Sequence, residues 1–136
     1  MNHKDLDVWK KSMDLVEAIY RLTLKFPDAE KFGLTSQMRR VAVSIPSNIA
    51  EGAARKGDKE LLHFLHIALG SLSELETQYL IAVRINYASK EESIENQIND
   101  VKKLLLGFRN YLEGKKEWKV RSEKKVRSKE WEGKIV

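Results

Sequence analysis

The sequence predicts an all-α protein: an up-down-up-down antiparallel four-helix bundle with a basic C-terminal tail. Four segments repeat apolar residues at steps of three and four, short polar links join them, and no strand pattern competes. Short links make successive amphipathic helices antiparallel neighbours, so a four-helix bundle follows. We predict the bundle over residues 1–114 and a basic tail over residues 115–136, which is either flexible or a loosely helical extension.

The first two predicted helices span about residues 5–26 and 35–56. Pro27 ends the first, and cations followed by Gly57 end the second, because a glycine can take a left-handed helix cap. The apolar positions of the first helix are Leu6, Trp9, Met13, Val16 and Tyr20. Those of the second are Met38, Val41, Ile45, Ile49 and Gly52.

Pro46 lies inside the second predicted helix, where a proline costs about 3 kcal/mol or more. Either the helix breaks at Ile45 and restarts with Ser47 or Asn48 as its cap, or it continues with a kink. The apolar positions before the proline are in phase with those after it. This phase favours one kinked helix.

The third and fourth predicted helices span about residues 59–87 and 90–113. Asp58 caps the third, and Ser89 with Glu92 forms a capping box for the fourth, which Gly114 closes. The apolar positions of the third are Leu61, Leu65, Ala68, Leu72, Leu75, Tyr79 and Ala82. Those of the fourth are Ile94, Ile98, Val101, Leu105, Phe108 and Leu112.

The third helix carries apolar residues on more than one side, more than a monomeric bundle needs to bury. We therefore expect a homo-oligomer built around the second and third helices. The positions predicted to serve as oligomer interface or structural polar residues are Pro46, Asn48, Glu51, Gly70, Glu74 and Gln78.

The net charge of +5 lies in the tail. Nine Lys or Arg face four Glu from Lys115 onward, whereas the first 114 residues hold 16 basic and 16 acidic residues. Basic side chains gain by displacing counterions from nucleic acid, and tryptophans can stack on unpaired bases. The predicted nucleic-acid-binding residues are Arg39, Arg40, Arg55, Lys56, Lys115, Lys116, Trp118, Lys119, Arg121, Lys124, Lys125, Arg127 and Lys129.

Composition argues against several functional classes. Cysteine is absent, no apolar run reaches the roughly 20 residues of a membrane span, and the N-terminus lacks a signal-peptide pattern, so we expect a cytoplasmic protein. Glu60 and His63 form one ExxH pair, but a dinuclear metal site needs two such pairs. Glu51 and Glu74 are better explained by ion pairs between helices or subunits than by acid–base catalysis. We expect no metal, no cofactor and no enzymatic activity.

The run FGLTSQMRRVAVSIPSNIAEGAARKGDKELLHFLHIALGSLSELETQYLIAVRINY, residues 32–87, resembles the four-helix-bundle proteins encoded by intervening sequences inside bacterial 23S rRNA genes. The segment LDVWKKSMDLVEAIY fits this family as well, and the resemblance covers roughly residues 5–112. It implies a homopentameric ring. The chain is also similar to the accessory protein of diversity-generating retroelements, which engages nucleic acid and a reverse transcriptase.

These observations lead to two functional hypotheses. The first is a non-catalytic homo-oligomeric scaffold that binds structured RNA or other nucleic acid through its tail and peripheral arginines. The alternative is a protein-interaction module that recruits a polymerase-like or reverse-transcriptase-like partner without touching nucleic acid itself.

Overall fold

The computed structural model describes the backbone of residues 1–128 and the side chains of residues 1–115. Four α-helices occur in this range: α1 (Asp7–Thr23), α2 (Leu34–Ala54), α3 (Asp58–Arg84) and α4 (Glu92–Ser128). Short 3-10 helices at His3–Asp5 and Asp28–Glu30 precede α1 and α2. Residues 1–128 contain no strand, so the prediction of an all-α protein with four helices is confirmed.

One hydrophobic core lies between the four helices. Its fully buried side chains include Leu15, Ile19, Met38, Ile45, Ile49, Leu65, Leu72, Leu75, Tyr79, Ile98, Val101 and Leu105. The core positions predicted for α3 are all buried, and those predicted for α4 are buried except Phe108, which packs partly exposed against the core. Three-and-four spacing in α3 and α4 therefore located the buried faces correctly.

The predicted apolar face of α1 was correct only in part: Leu6, Trp9 and Val16 pack half-buried against the core, but the fully buried face is rotated from the predicted one. Met13 and Tyr20, assigned to the core, are 42% and 41% exposed. The buried face instead follows Val8, Leu15, Ile19 and Leu22, with Ser12 among them. Ser12 interrupts this series, but its hydroxyl donates to the carbonyl of Trp9 at 2.8 Å and can therefore be buried at little cost.

Helix α2 continues through Pro46 without a break, as the phase of its apolar residues predicted. Ile45 and Ile49, on either side of the proline, are both fully buried. The Asn48 amide donates to the backbone carbonyl of Ser44 at 2.8 Å and to the Ser44 hydroxyl at 2.9 Å. Asn48 thus bonds back to the preceding turn of α2 and does not begin a new helix.

Helices α2 and α3 pack closely around Gly52. A Cβ atom at this position would lie 2.9 Å from Phe64 Cβ and 3.0 Å from Leu61 Cδ1. Further along the pair, the hydroxyls of Ser44 and Ser71 lie 2.9 Å apart. Gly52 of α2 thus lies beside Leu61 and Phe64, whereas the earlier residue Ser44 lies beside the later residue Ser71, so α2 and α3 run antiparallel.

The caps predicted for α3 and α4 are not the ones observed: Asp58 is itself the first residue of α3, which follows Gly57 and has no side-chain cap, and α4 begins at Glu92. At the starts of α2 and α4, side chains from other segments accept from the backbone. The Glu30 carboxylate accepts from the backbone N–H of Leu34 at 3.1 Å, so α2 begins at Leu34. The hydroxyl of Tyr79 accepts from the backbone N–H of Glu91 at 2.8 Å, and α4 begins at Glu92. Orphan amides at helix starts can be satisfied by any nearby acceptor, whether or not it is close in sequence.

Helix α4 does not end at Gly114 as expected but continues to Ser128. Residues 115–128 contain neither glycine nor proline, and glutamates stand four residues before Arg121 and Arg127. This spacing and order favour a helix. Of the two forms predicted for the tail, flexible or helical, the backbone is helical as far as Ser128. No helix within the described part of the chain is long and apolar enough to cross a membrane.

Candidate nucleic-acid interface

Arg39 fastens α2 to the end of α1. Its Nε donates to Thr23 Oγ1 at 2.8 Å, its Nη2 donates to the Tyr20 carbonyl at 3.3 Å, and its guanidinium lies 4.6 Å from the centre of the Tyr20 ring. Arg39 is half-buried, whereas the neighbouring Arg40 is exposed. These contacts give Arg39 a structural role, so Arg40 is the more accessible of this predicted pair.

Arg55, Lys56 and Lys115 lie at one end of the bundle, near the link between α2 and α3. Lys115 Nζ lies 2.9 Å from Asp58 Oδ2, and the hydrogen bond that it donates to this carboxylate raises the pKa of Lys115. Arg55 pairs with Glu51 one turn earlier and lies 5.3 Å from the Phe64 ring centre. The 15-residue separation from Arg40 corresponds to about 22 Å along α2. Arg55, Lys56 and Lys115 therefore do not form one basic patch with Arg40.

The whole net charge lies on the C-terminal extension of α4, which we define as residues 115–128. This extension holds seven Lys or Arg and two Glu, a net charge of +5. Residues 1–114 are neutral, and residues 129–136 contain two Lys and two Glu. The predicted positions Lys116, Trp118, Lys119, Arg121, Lys124, Lys125 and Arg127 belong to the backbone of α4, whereas Lys129 lies outside the described residues.

The acidic residues predicted to pair across helices have other surroundings. Glu51 forms its ion pair with Arg55, in its own helix. Glu74 is exposed on α3. Other residues form the ion pairs between α3 and α4, for example Glu76 with Lys102 at 3.1 Å. Glu51 and Glu74 therefore form no inter-helix pair within the described chain.

Two of the predicted interface positions lie on α3 in unlike environments: Gln78 is a buried polar residue and Gly70 is an exposed glycine. Gln78 is only 7% exposed, and its Oε1 atom is buried without a hydrogen-bond partner within the described chain. An unsatisfied buried acceptor costs about 1–3 kcal/mol. Gly70 is exposed, and a Cβ there would meet nothing within 4 Å. Ile67, Leu80 and Ile81, also on α3, are 39%, 51% and 45% exposed.

Sequence spacing did not identify the polar contacts made by two tyrosines. The Tyr79 hydroxyl donates to Glu95 Oε2 at 3.1 Å, besides accepting from the backbone of Glu91. Burial is the main reason that the pKa of Tyr79 is raised. Tyr87 donates to Glu30 Oε2 at 2.9 Å, and this bond raises the pKa of Tyr87. Both bonds join residues at least 16 positions apart, and helical periodicity carries no signal for such pairs.

The described surface has open grooves. One groove, of about 500 Å³, lies beside the end of α3 and is lined by Leu80, Ile81, Arg84, Lys90 and Glu95 among others. In residues 1–115, no three His, Asp or Glu side chains come together as metal ligands would. The basic extension is therefore the feature with the most distinct chemistry.

Comparisons with known proteins agree on the class of this chain. The sequence profile of the family described as "23S rRNA-intervening sequence protein" matches residues 4–107. The chain is similar to a solved structure from Bacteroides thetaiotaomicron VPI-5482, described as a protein with unknown function from the S23 ribosomal protein family. The two are 27% identical with a TM-score of 0.67, over 75% of this chain and 97% of the other. No curated protein matches the sequence.

Proposed function

The chain belongs to the 23S rRNA-intervening sequence protein family, and on this premise we propose that it is a non-catalytic homo-oligomeric scaffold for structured RNA or another nucleic acid. The charge distribution carries the proposal. A neutral bundle bears a helical extension with a net charge of +5. Such a concentration of cations favours phosphate backbones, because each phosphate neutralised releases counterions.

Exposed apolar surface on α3 supports self-association. Ile67, Leu80 and Ile81 are exposed on this helix, and the carbonyl of Gln78 lacks a partner within the described chain. A second copy that covered this helix would remove apolar area from water. We propose a pentamer, in which five extensions would share one assembly and their weak individual contacts would add through avidity.

The proposal assigns no reaction to the chain. Glu51 and Glu74 are exposed, and Glu51 is paired with Arg55. Tyr79 and Tyr87, whose pKa values are raised, form hydrogen bonds that join helices or cap them. These groups are accounted for by the stability of the bundle.

A protein-interaction module is the alternative, and one observation favours it. Leu24, Phe32 and Ile85 are 76%, 90% and 47% exposed. All three lie near the end of the bundle opposite the basic extension. An apolar surface of this kind suits a protein partner, for example a polymerase or a reverse transcriptase, better than it suits nucleic acid.

Charge removal from two places tests the proposal. One variant carries Lys124→Gln, Lys125→Gln and Arg127→Gln, and a matched control carries Lys4→Gln, Lys10→Gln and Lys11→Gln on the exposed N-terminal surface. Affinity for a structured RNA is measured by fluorescence anisotropy at several salt concentrations. The extension variant should lose at least about tenfold in affinity, and its log–log salt slope should fall by about 2–3.

The matched control should bind nearly as the wild type does. If both variants lose affinity equally, the extension has no special role in binding. If the wild-type protein does not bind RNA or DNA at physiological salt, the nucleic-acid proposal is wrong and the protein-interaction alternative takes its place.

A further inference from the structure

The basic extension differs from a charged tail because it continues a helix of the bundle. Among the described side chains, which end at Lys115, the last buried core residue of α4 is Leu112, at 2% exposed. Three residues later, Lys115 forms an exposed ion pair with Asp58 at the start of α3. From residue 116 to Ser128 the helix runs on for about 20 Å at 1.5 Å per residue. The positive charge thus lies on a helical rod that continues directly from the packed part of α4.

Basic positions surround this rod on all sides. Each residue turns a helix by about 100°, so Lys115 and Lys119 lie on one side and Lys124 lies on the opposite side. Arg121 and Arg127 fall on the two flanks between them. A helix with this distribution can neutralise phosphates on two sides at once. A flat surface or one extended strand of nucleic acid would engage only part of it.

The dimensions favour a duplex as the ligand. An α-helix with its side chains is about 10–12 Å wide, and the major groove of B-form DNA is about 12 Å wide with phosphates along both edges. The major groove of regular A-form RNA is too narrow, so an RNA stem would have to be opened by a bulge. Proteins that bind single strands use several aromatic residues as stacking platforms, and the extension contains only Trp118.

We propose that the extension binds nucleic-acid duplexes as a preformed helix, lying in a major groove wide enough to admit it and contacting the phosphates of both strands. This inference rests on the proposed function, since it names the class of nucleic acid that the extension would take. Arg55 and Lys56 lie at the same end of the bundle as the base of the extension. Both are exposed there, where the extension would emerge from the groove; Arg55 is paired with Glu51, so Lys56 is the one of the two that adds positive charge.

A helix-breaking substitution in the full-length protein distinguishes the contribution of helical structure to binding from the contribution of charge. Ser122→Pro leaves every charge in place but removes a helical hydrogen bond and clashes with the preceding turn, whereas Ser122→Ala preserves the helix. Far-UV circular dichroism checks that the bundle stays folded in both variants. The probes are a DNA duplex of about two helical turns, its single strand, and RNA stems of the same length with and without a bulge.

Wild type and Ser122→Ala should bind the DNA duplex and the bulged RNA stem at least about tenfold more tightly than the single strand. Ser122→Pro should lose at least about tenfold on these two duplexes and should bind with a shallower salt slope. The ratio of the affinity for the DNA duplex to that for the bulged RNA stem shows which kind of duplex the extension prefers.

Equal binding by Ser122→Pro and Ser122→Ala would overturn the inference, and so would a single strand that binds as tightly as the duplexes. The Lys124, Lys125 and Arg127 variant described above separates this failure from failure of the proposed function. If its affinity falls while Ser122→Pro binds normally, the electrostatic scaffold stands and only the helical docking is wrong. If no probe binds the wild type, both proposals fail.

Discussion

Replacement of Gly52 by alanine tests how closely α2 and α3 approach each other. The new Cβ would lie 2.9 Å from Phe64 Cβ, 3.0 Å from Leu61 Cδ1 and 3.4 Å from the Leu61 carbonyl oxygen. Phe64 Cβ is attached to the backbone of α3 and has no rotamer that relieves the contact, so one helix has to shift. Overpacking of this kind costs about 1–3 kcal/mol. The higher helix propensity of alanine returns about 1 kcal/mol. We expect a net loss of about 1 kcal/mol.

Gly107→Ala is the matched control, because it makes the same substitution inside α4 where a Cβ would meet nothing within 4 Å. We expect it to stabilise the protein by about 1 kcal/mol. The two variants should therefore differ by about 2 kcal/mol, or by about 6–10 °C in Tm for a chain of this length.

The measurement is urea and thermal unfolding followed by far-UV circular dichroism, with all proteins at one concentration because self-association would raise apparent stability. If Gly52→Ala proved as stable as Gly107→Ala, the close approach of α2 and α3 at Gly52 would be wrong.

Two further predictions concern α3. In the single chain, a Cβ at Gly70 would meet nothing within 4 Å. If Gly70 lies in a subunit interface, analytical ultracentrifugation should show weaker assembly for Gly70→Ala but not for the control Gly107→Ala. Unchanged assembly of Gly70→Ala would mean that Gly70 is not in the interface. Tyr79→Phe leaves the Glu91 amide without its acceptor and should cost about 1–3 kcal/mol near pH 7. Because burial raises the pKa of Tyr79, the unfolded chain loses this proton first, so wild-type stability falls above about pH 10 and the difference from Tyr79→Phe narrows. A difference that stayed constant up to pH 11 would contradict this explanation.

The sequence predicted most where one interaction dominates. On α3 the predicted series Leu61, Leu65, Ala68, Leu72, Leu75, Tyr79 and Ala82 faces the core, because burial of apolar area decides which face of a helix turns inward. On α1 two series of three-and-four steps compete. The series with Met13 and Tyr20 is not interrupted by a serine, yet the series with Leu15 and Ile19, which contains Ser12, is buried. Ser12 made the correct face hard to identify from sequence, because a hydrophobicity pattern contains no information on its hydrogen bond to the Trp9 carbonyl.

The site predictions likewise succeeded for properties set by local sequence and failed for properties set by tertiary contacts. Net charge can be located from sequence alone, and the concentration of cations after residue 114 follows directly from the order of residues. What a given cation contacts depends on partners distant in sequence. Arg39 and Arg40 are adjacent, but only Arg39 reaches the hydroxyl of Thr23, which lies 16 residues away on another helix. Adjacent arginines in the sequence are thus distinguished only when the packing of α1 against α2 is known.

The length of α4 links fold to function. Its described buried residues extend to Leu112, and an isolated helix as short as residues 115–128 is marginal in water. The extension nevertheless does not have to nucleate, because residues 92–112 already form a packed helix and each added residue needs only to propagate it. Lysine and arginine propagate helices well, and favourably ordered glutamate–arginine pairs support them. The bundle can therefore hold a highly charged segment in helical form that an isolated peptide of the same sequence would not keep.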